Sequence, residues 1–326
     1  MKQRVVSGMR PTGYLHLGHY HGVLKNWLEL QKKYDCYFFV ADWHSLTTEY
    51  ANPSPIKEFT HQMLLDWLAC GIDPNSATLF IQSRVPEHAE LHLLLSMITP
   101  ISWLERVPSY KELRKELSEK DLSTYGFLGY PLLQTADVIL YQANKVPVGQ
   151  DQLAHIELSR EVVRRFNHLY GETFVEPEAM LTEVPKLLGT DGRKMSKSFG
   201  NSLFLSENPE AVQKKVLSMM TDPARKRRTD VGNPDLCPVF DYHKIYTAET
   251  KQAELAAGCR SAAIGCVDCK KVFLETLIPF LKAHQERRKE FENNPKRVNE
   301  IIEAGVERAR KVASANLKKI KEVMKI

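Results

Sequence analysis

The sequence predicts an α/β protein, with a doubly wound parallel sheet followed by an α-helical domain. Three observations carry that prediction. Short β-branched or continuously apolar runs occur at residues 4–6, 36–41 and 78–81. Helix-length stretches alternate with them, and the strand signals stop after Gly200. Continuous apolar runs suit strands buried on both faces of a parallel sheet. Alternating strand and helix is the pattern of doubly wound folds, which bind nucleotides at the carboxyl ends of their strands.

The first strand, Arg4-Val5-Val6, leads into a segment punctuated by Gly8, Gly13 and Gly18, which opens a helix-like stretch over residues 20–33. A strand, a Gly-rich turn and a helix N-terminus form an anion site, because free backbone N–H groups and the helix dipole face the ligand. Residues 36–41 form the second strand. Residues 55–70 place Ile56, Phe59, Met63, Leu64, Trp67 and Leu68 at helical spacing. Trp27, Leu28 and Leu30 repeat in the same way and read as core or as dimer surface. The third strand is 78–81. No GxGxxG is present, so a dinucleotide site is not indicated. Beyond Gly200, residues 208–220 read as a helix with Pro209 in its first turn. Helical sequence resumes at Leu255, and Pro295 introduces a long amphipathic helix to the end.

Composition excludes several classes. Apolar residues make up 43%, enough for substantial cores, yet no run of 18 apolar residues is present, so no membrane span is expected. The first residues are strand-like and lack a basic segment followed by an apolar one, so no secretory signal and a cytoplasmic location are expected. A net charge of +5 suits an RNA partner without establishing one. Six cysteines in such a chain are expected as reduced thiols or metal ligands.

Two short motifs carry the chemistry. The first is His16-Leu17-Gly18-His19, preceded by Arg10-Pro11-Thr12-Gly13. The second is Lys194-Met195-Ser196-Lys197-Ser198, in a loop with Arg193. The histidines are either ordinary helix-start residues or donors to a phosphate. Lysines of such a loop neutralise phosphates as point charges. Together the motifs imply a nucleotide whose triphosphate lies between two ends of one domain.

With these motifs the chain resembles the class I aminoacyl-tRNA synthetases, whose paired signatures are HLGH and KMSKS. The segment Val146-Pro147-Val148-Gly149-Gln150-Asp151-Gln152, followed by His155, Glu157, Leu158 and Arg160, is similar to the tryptophanyl branch. So is Tyr130-Pro131-Leu132-Leu133-Gln134-Thr135-Ala136-Asp137. The resemblance spans the whole chain. It implies a Rossmann-like catalytic domain over 1–202, a helical anticodon-binding domain over 203–294, and a last helix, 295–326, that returns to the catalytic domain. It implies activation of L-tryptophan by ATP, with Mg²⁺, and transfer to tRNA(Trp) by a homodimer. His16, His19, Lys194 and Lys197 would act on the phosphates. Arg10, Pro11, Thr12, Gly18, His19, Gly149, Gln150, Asp151, Lys194, Met195, Ser196, Lys197 and Ser198 would hold ATP. Tyr130, Gln134, Asp137, Gln152 and His44 would hold tryptophan.

Asp137 lies between Ala136 and Val138 in an otherwise apolar segment. A carboxylate there must be paired or hydrogen-bonded. It is either a structural cap or ion pair, or an acceptor for the indole N–H, which only donates. Asp151 is either an N-cap or a nucleotide contact. Two alternatives of function remain open at this point. One is a tyrosyl-type synthetase, and the other is a non-catalytic RNA-binding or redox-sensing relative.

Cys237, Cys259, Cys266 and Cys269 fall within one short stretch of the helical region. Four thiolates there suggest a tetrahedral metal site, with zinc and [4Fe–4S] sharing the ligand set. The alternative is four buried free thiols. The spacing resembles a subset of tryptophanyl enzymes that carry [4Fe–4S] beside the anticodon-binding surface, and [4Fe–4S] is the expectation over zinc. The site is expected to be structural or RNA-facing, remote from catalysis. Residues 225–228, four consecutive cations, are either a solvated face or a contact for RNA phosphates.

Overall fold

The computed structural model describes residues 2–116, 119–181, 187–195 and 199–326. Its sheet contains β1 (Arg4–Met9), β2 (Asp35–Val40), β3 (Ala77–Ile81), β4 (Lys145–Val148) and β5 (Glu178–Leu181). The order is β3-β2-β1-β4-β5 and every pair is parallel. The three strands expected from apolar runs are present. β4 and β5 are additions that hydropathy did not reveal. Each has four residues, and β4 contains Pro147. The five successive positions 36–40 of β2 are all buried, so both faces of the sheet are covered. Strand order reverses between β1 and β4. Ligands of open α/β sheets bind in the crevice outside the carboxyl ends of strands at such a crossing.

The run expected as one helix over 20–33 begins earlier and is not uniform. Leu17–His19 is α-helical, Tyr20–Leu24 is a π-turn, and Lys25–Lys33 is α-helical again. Single π-turns inside helices are frequent at functional sites. Trp27 stacks on Phe38 at 4.1 Å and is fully buried, so it belongs to the core. The helix Ser54–Cys70 ends at Gly71, whose φ of 103° is the left-handed conformation that terminates helices.

Beyond residue 200 the described chain forms helices Pro209–Ser218, Pro238–Tyr246, Glu249–Arg260, Cys266–Glu292 and Pro295–Met324. The long helix Cys266–Glu292 packs on Ser54–Cys70. Buried Asp66 receives Arg288 and His284 on one carboxylate oxygen, the latter at 3.1 Å. Burying these charges is tolerable because they compensate one another.

Pro295–Met324 packs on edge strand β3 and on Glu87–Ser96. It covers the strand's free side, which would otherwise be a pairing template. Gly305, Ala309 and Ala313 recur every fourth residue and are buried. Gly305 permits the approach, since an added Cβ would lie 1.7 Å from the Leu79 carbonyl oxygen. Arg308 donates to the Pro74 carbonyl at 2.7 Å, and Arg84 pairs with Glu303 at 2.6 Å. No described helix is long and apolar enough to cross a membrane.

The close approach makes a prediction against helix propensity. Ala normally favours a helix over Gly by about 1 kcal/mol. Gly305→Ala should instead destabilise the protein by about 1–3 kcal/mol through overpacking. Urea unfolding of the variant measures it, and a gain in stability would refute the packing argument.

Candidate active site

The two motifs, far apart in sequence, meet through backbone pairing. Leu17 N–H donates to the Leu203 carbonyl at 3.0 Å, and Leu205 N–H to the Leu15 carbonyl at 2.9 Å. His16 and Phe204 form the antiparallel bridge between them. The chain leaving the loop is thereby laid against the start of the first helix. An added Cβ on Gly18 would lie 2.9 Å from the His16 ring and 3.8 Å from Met195 Sδ. Lys194 is exposed and Met195 is buried beside this helix start. Ser196, Lys197 and Ser198 lie outside the described residues.

The helix-start reading of the histidines is visible in the geometry. His16 is the N-cap: Gly18 N–H donates to its Nδ1 at 3.1 Å, while His16 N–H donates to His19 Nδ1 at 3.2 Å. A cap that uses both Nδ1 atoms as acceptors assigns the proton of each ring to Nε2. Each imidazole is then a neutral donor at a helix N-terminus. Pro11 is buried, Thr12 is exposed, and Thr12 N–H donates to the Arg10 carbonyl.

Beside this junction, at the ends of β1 and β4, lies a cavity of about 430 Å³. One wall is apolar and backbone-lined, with Gly8, Gly22, Val23, Val146 and Val148. Gly8 has no room for a Cβ, which would lie 2.5 Å from the Phe39 ring. The other wall is polar and contains Arg10, His44, Tyr130, Gln134, Asp137 and Gln152. Gly149 borders the cavity, whereas Gln150 and Asp151 are exposed and do not line it. Thus the structure brings together the residues expected around tryptophan. Of those expected at the phosphates, His16 and His19 form the adjoining helix start, Lys194 precedes the buried Met195, and Lys197 lies outside the described residues.

Asp137 is almost completely buried on the helix Tyr125–Ile139. His44 Nε2 lies 2.8 Å from its Oδ2, and His88 Nδ1 lies 2.7 Å from its Oδ1. Gln82 donates to both oxygens at 2.8 and 2.9 Å. Burial alone would raise its pKa. Hydrogen bonds from His44 and His88 outweigh burial and hold the carboxyl well below the usual range. The carboxylate therefore stays ionised in an apolar setting. Tyr141 OH completes the network on the far side of His88, at 2.7 Å.

Sequence reasoning missed Gln82, His88 and Ser109 altogether, and it treated His155 only as part of a motif. Ser109 Oγ lies 2.7 Å from Tyr130 OH and 2.6 Å from His155 Nε2, while His155 Nδ1 lies 2.8 Å from Gln152 Oε1. The three-residue spacing of Gln152 and His155 on one helix face was the available signal. Arg10 donates to Thr48 Oγ1 at 2.5 Å, and its buried Nε has no partner among the described residues. Burial lowers the Arg10 pKa, against the raising effects of Glu49 and Tyr130.

Burial lowers His155 to about 4, with His44 adding to the effect and Asp151 opposing it. Its ring is neutral when folded and, when unfolded, takes a proton below about 6.5. Stability linked to His155 is therefore complete above pH 6.5 and lost as pH falls toward 4. The urea midpoint should decline over that window, and His155→Gln should flatten the decline. An equally steep decline in the variant would remove His155 as a source.

The cysteines gather as well. Cys237, Cys259, Cys266 and Cys269 line one small hollow of about 20 Å³ with Thr221 and Arg225. Among the described residues, no three His, Cys, Asp or Glu side chains form a group that could hold a metal ion. Burial pushes the Cys269 thiol up to about 12, and the other three cysteines push it further in the same direction. Arg225 is not a solvated cation: it is buried and donates to the carbonyls of Arg228 and Ile264 at 3.0 and 2.6 Å. Lys226, Arg227 and Arg228 are exposed.

Comparison with known proteins agrees with this arrangement. Residues 1–282 match the family described as tRNA synthetases class I (W and Y). The tryptophan–tRNA ligase of Thermotoga maritima is 51% identical, over 99% of each chain. That of Ralstonia nicotianae is 45% identical, over 99% of this chain and 98% of its own. The crystal structure of tryptophanyl-tRNA synthetase from Campylobacter jejuni complexed with ADP and tryptophan superposes with a TM-score of 0.90, at 32% identity, over 99% of this chain and all of that one. With HLGH beside Met195, and an ionised Asp137 on the wall of a cavity at the strand crossing, the chain belongs to the class I aminoacyl-tRNA synthetases, on the branch that joins tryptophan to its tRNA.

Proposed function

We propose that the cavity at the β1–β4 crossing takes the indole of L-tryptophan against Asp137 and leads its carboxylate to the α-phosphate of ATP at the HLGH helix start. The observation that carries this reading is the pairing of residues 15–17 with 203–205, which lays the chain leaving the Lys194 loop against the HLGH helix start. Tyr130, Gln134 and Gln152 would hold the amino-acid head group, with His44 beside the ring. Arg10, with its unpartnered Nε, would face the negative charge of the reacting carboxylate and phosphate. Gly18, His19, Gly149, Gln150 and Asp151 would border ATP, with Pro11 and Thr12 along it.

The carboxylate attacks the α-phosphate in line, forming tryptophanyl-adenylate and releasing pyrophosphate. Nothing in this step requires a covalent protein nucleophile. Positioning and charge stabilisation suffice. His16 and His19 would donate through Nε2, and Lys194 and Lys197 would balance charge moving onto pyrophosphate. Mg²⁺ supplies further charge neutralisation when bound to the phosphates. Tryptophan then passes to the terminal ribose of its tRNA.

An N–H donor is what an ionised acceptor such as Asp137 selects, since an analogue without it leaves the buried acceptor unmatched. Asp137→Asn should raise the KM for tryptophan about 10- to 100-fold, from loss of a charged hydrogen bond of about 1.5–3 kcal/mol. It should also lower stability, because His44 and His88 lose their anionic partner. ATP–pyrophosphate exchange with tryptophan and with an N-methylated indole analogue measures the effect. Unchanged affinity and unchanged discrimination would reduce Asp137 to a structural role.

We also propose that Cys237, Cys259, Cys266 and Cys269 hold a [4Fe–4S] cluster. Supporting this are their shared hollow and their spacing. The bound cluster would supply structural cross-linking to a helical domain over 203–294 that meets tRNA, with Arg227 and Arg228 beside it. Anaerobically purified protein should be brown, with about four irons and four sulfides per chain. One zinc in a colourless protein would replace the cluster by a zinc site. Absence of any metal would leave four buried thiols.

Leu93, Met97, Ile101 and Tyr125 are each more than half exposed on neighbouring helices that pack on one another. This apolar surface suits a second copy of the chain, and a cytoplasmic homodimer is the assembly we propose.

A further inference from the structure

We infer that Tyr242 and Lys270 are positioning residues that tie the four-cysteine hollow to the base of the Lys194 loop, so that order in the hollow governs how ATP is held. The sequence places these regions in different domains, and the cysteines were expected to be remote from catalysis. The structure joins them by direct contacts.

The base of the loop is built from hydrogen bonds on both strands. Leu188 bridges Lys194, Gly189 N–H donates to the Arg193 carbonyl at 2.7 Å, and Thr190 N–H donates to the Asn201 carbonyl at 2.9 Å. Two further bonds come from the helical region. Tyr242 OH donates to the Leu188 carbonyl at 2.5 Å, and Met220 N–H donates to the Thr190 carbonyl at 2.8 Å. Gly192 has φ of 78°, and an added Cβ there would meet the Met220 side chain at 2.8 Å and Pro238 at 3.5 Å. Pro238 directly follows Cys237.

Lys270, next to Cys269, completes the strut. It is nearly fully buried, and its ammonium donates to the carbonyls of Leu217 at 2.8 Å and Met219 at 2.5 Å. These carbonyls end the helix Pro209–Ser218 and lie just before Met220. Thr221, the next residue, lines the hollow. A short segment, 217–221, therefore touches the hollow, Lys270 and the loop at once. Moving the thiols displaces the backbone that fixes Leu188 and Thr190, and with it Lys194.

The inference rests on the reading of Lys194 as a phosphate-holding residue, and the experiment separates the two. Tyr242→Phe removes one hydroxyl and keeps the buried ring. The full-length protein should then show an ATP KM raised about tenfold, with tryptophan affinity and metal content unchanged. Amide hydrogen exchange over 188–192 should accelerate. Lys270→Met should do the same and Lys270→Arg should restore much of the loss. Cys269→Ser should shift ATP KM in the same direction, and its effect should not add to that of Tyr242→Phe. Unchanged ATP KM with unchanged exchange over 188–192 in Tyr242→Phe would overturn the strut. Equal weakening of tryptophan and ATP would overturn it too, by showing general loosening. If Lys194→Ala leaves ATP KM intact, the loop reading falls, while exchange over 188–192 still decides the strut.

Discussion

The antiparallel pairing of residues 15–17 with 203–205 is the constraint on which the site depends. A parallel sheet delivers its strand ends to one rim, but it gathers only what lies at those ends. The Lys194 loop follows the last described strand, and its described residues add no strand to the sheet. Two backbone bonds to Leu203 and from Leu205 return it to the first helix. The helix start they brace is the one capped reciprocally by His16 and His19. One local geometry thus serves as cap and docking edge, and Gly18 is needed because any side chain there would strike the His16 ring.

The second organising feature is buried charge. Asp137 and Asp66 are both deeply buried, Asp137 with donors on both carboxylate oxygens and Asp66 with donors on one. Asp66 joins the helix Ser54–Cys70 to Cys266–Glu292 through His284 and Arg288, and its role is to lock two helices. Asp137 instead borders a cavity. Its partners His44 and Gln82 come from segments after β2 and β3, so the carboxylate is held from several directions at the lining of the cavity. A charge kept ionised in a low-dielectric wall interacts strongly with a donor that reaches it.

The helical region is not an appendage. It contributes Tyr242, Met220 and Pro238 to the base of the loop, and its last helix seals the edge of the sheet at β3. The sheet-bearing and helical regions therefore share a contact surface at the base of the Lys194 loop. Physical coupling between them follows from packed side chains and buried hydrogen bonds, which shift together or not at all.

The sequence by itself determined the alternation of strand and helix, the helix start after a Gly-rich turn, and the need for buried partners around Asp137. Each is a local pattern: apolar runs at 36–41 and 78–81, glycines at 8, 13 and 18, a carboxylate isolated among apolar neighbours at 137. Strands β4 and β5 escaped hydropathy because four residues with a proline or exposed ends carry too little periodicity. Gln82, His88 and Ser109 escaped because an isolated polar residue has no pattern until its partners arrive from other segments. Tertiary structure alone decided that Arg225 turns inward, that the four cysteines share one hollow, and that this hollow abuts the Lys194 loop. Those outcomes depend on which distant backbone carbonyls need donors and which helices leave room for one another, and such pairings are settled only when the segments pack.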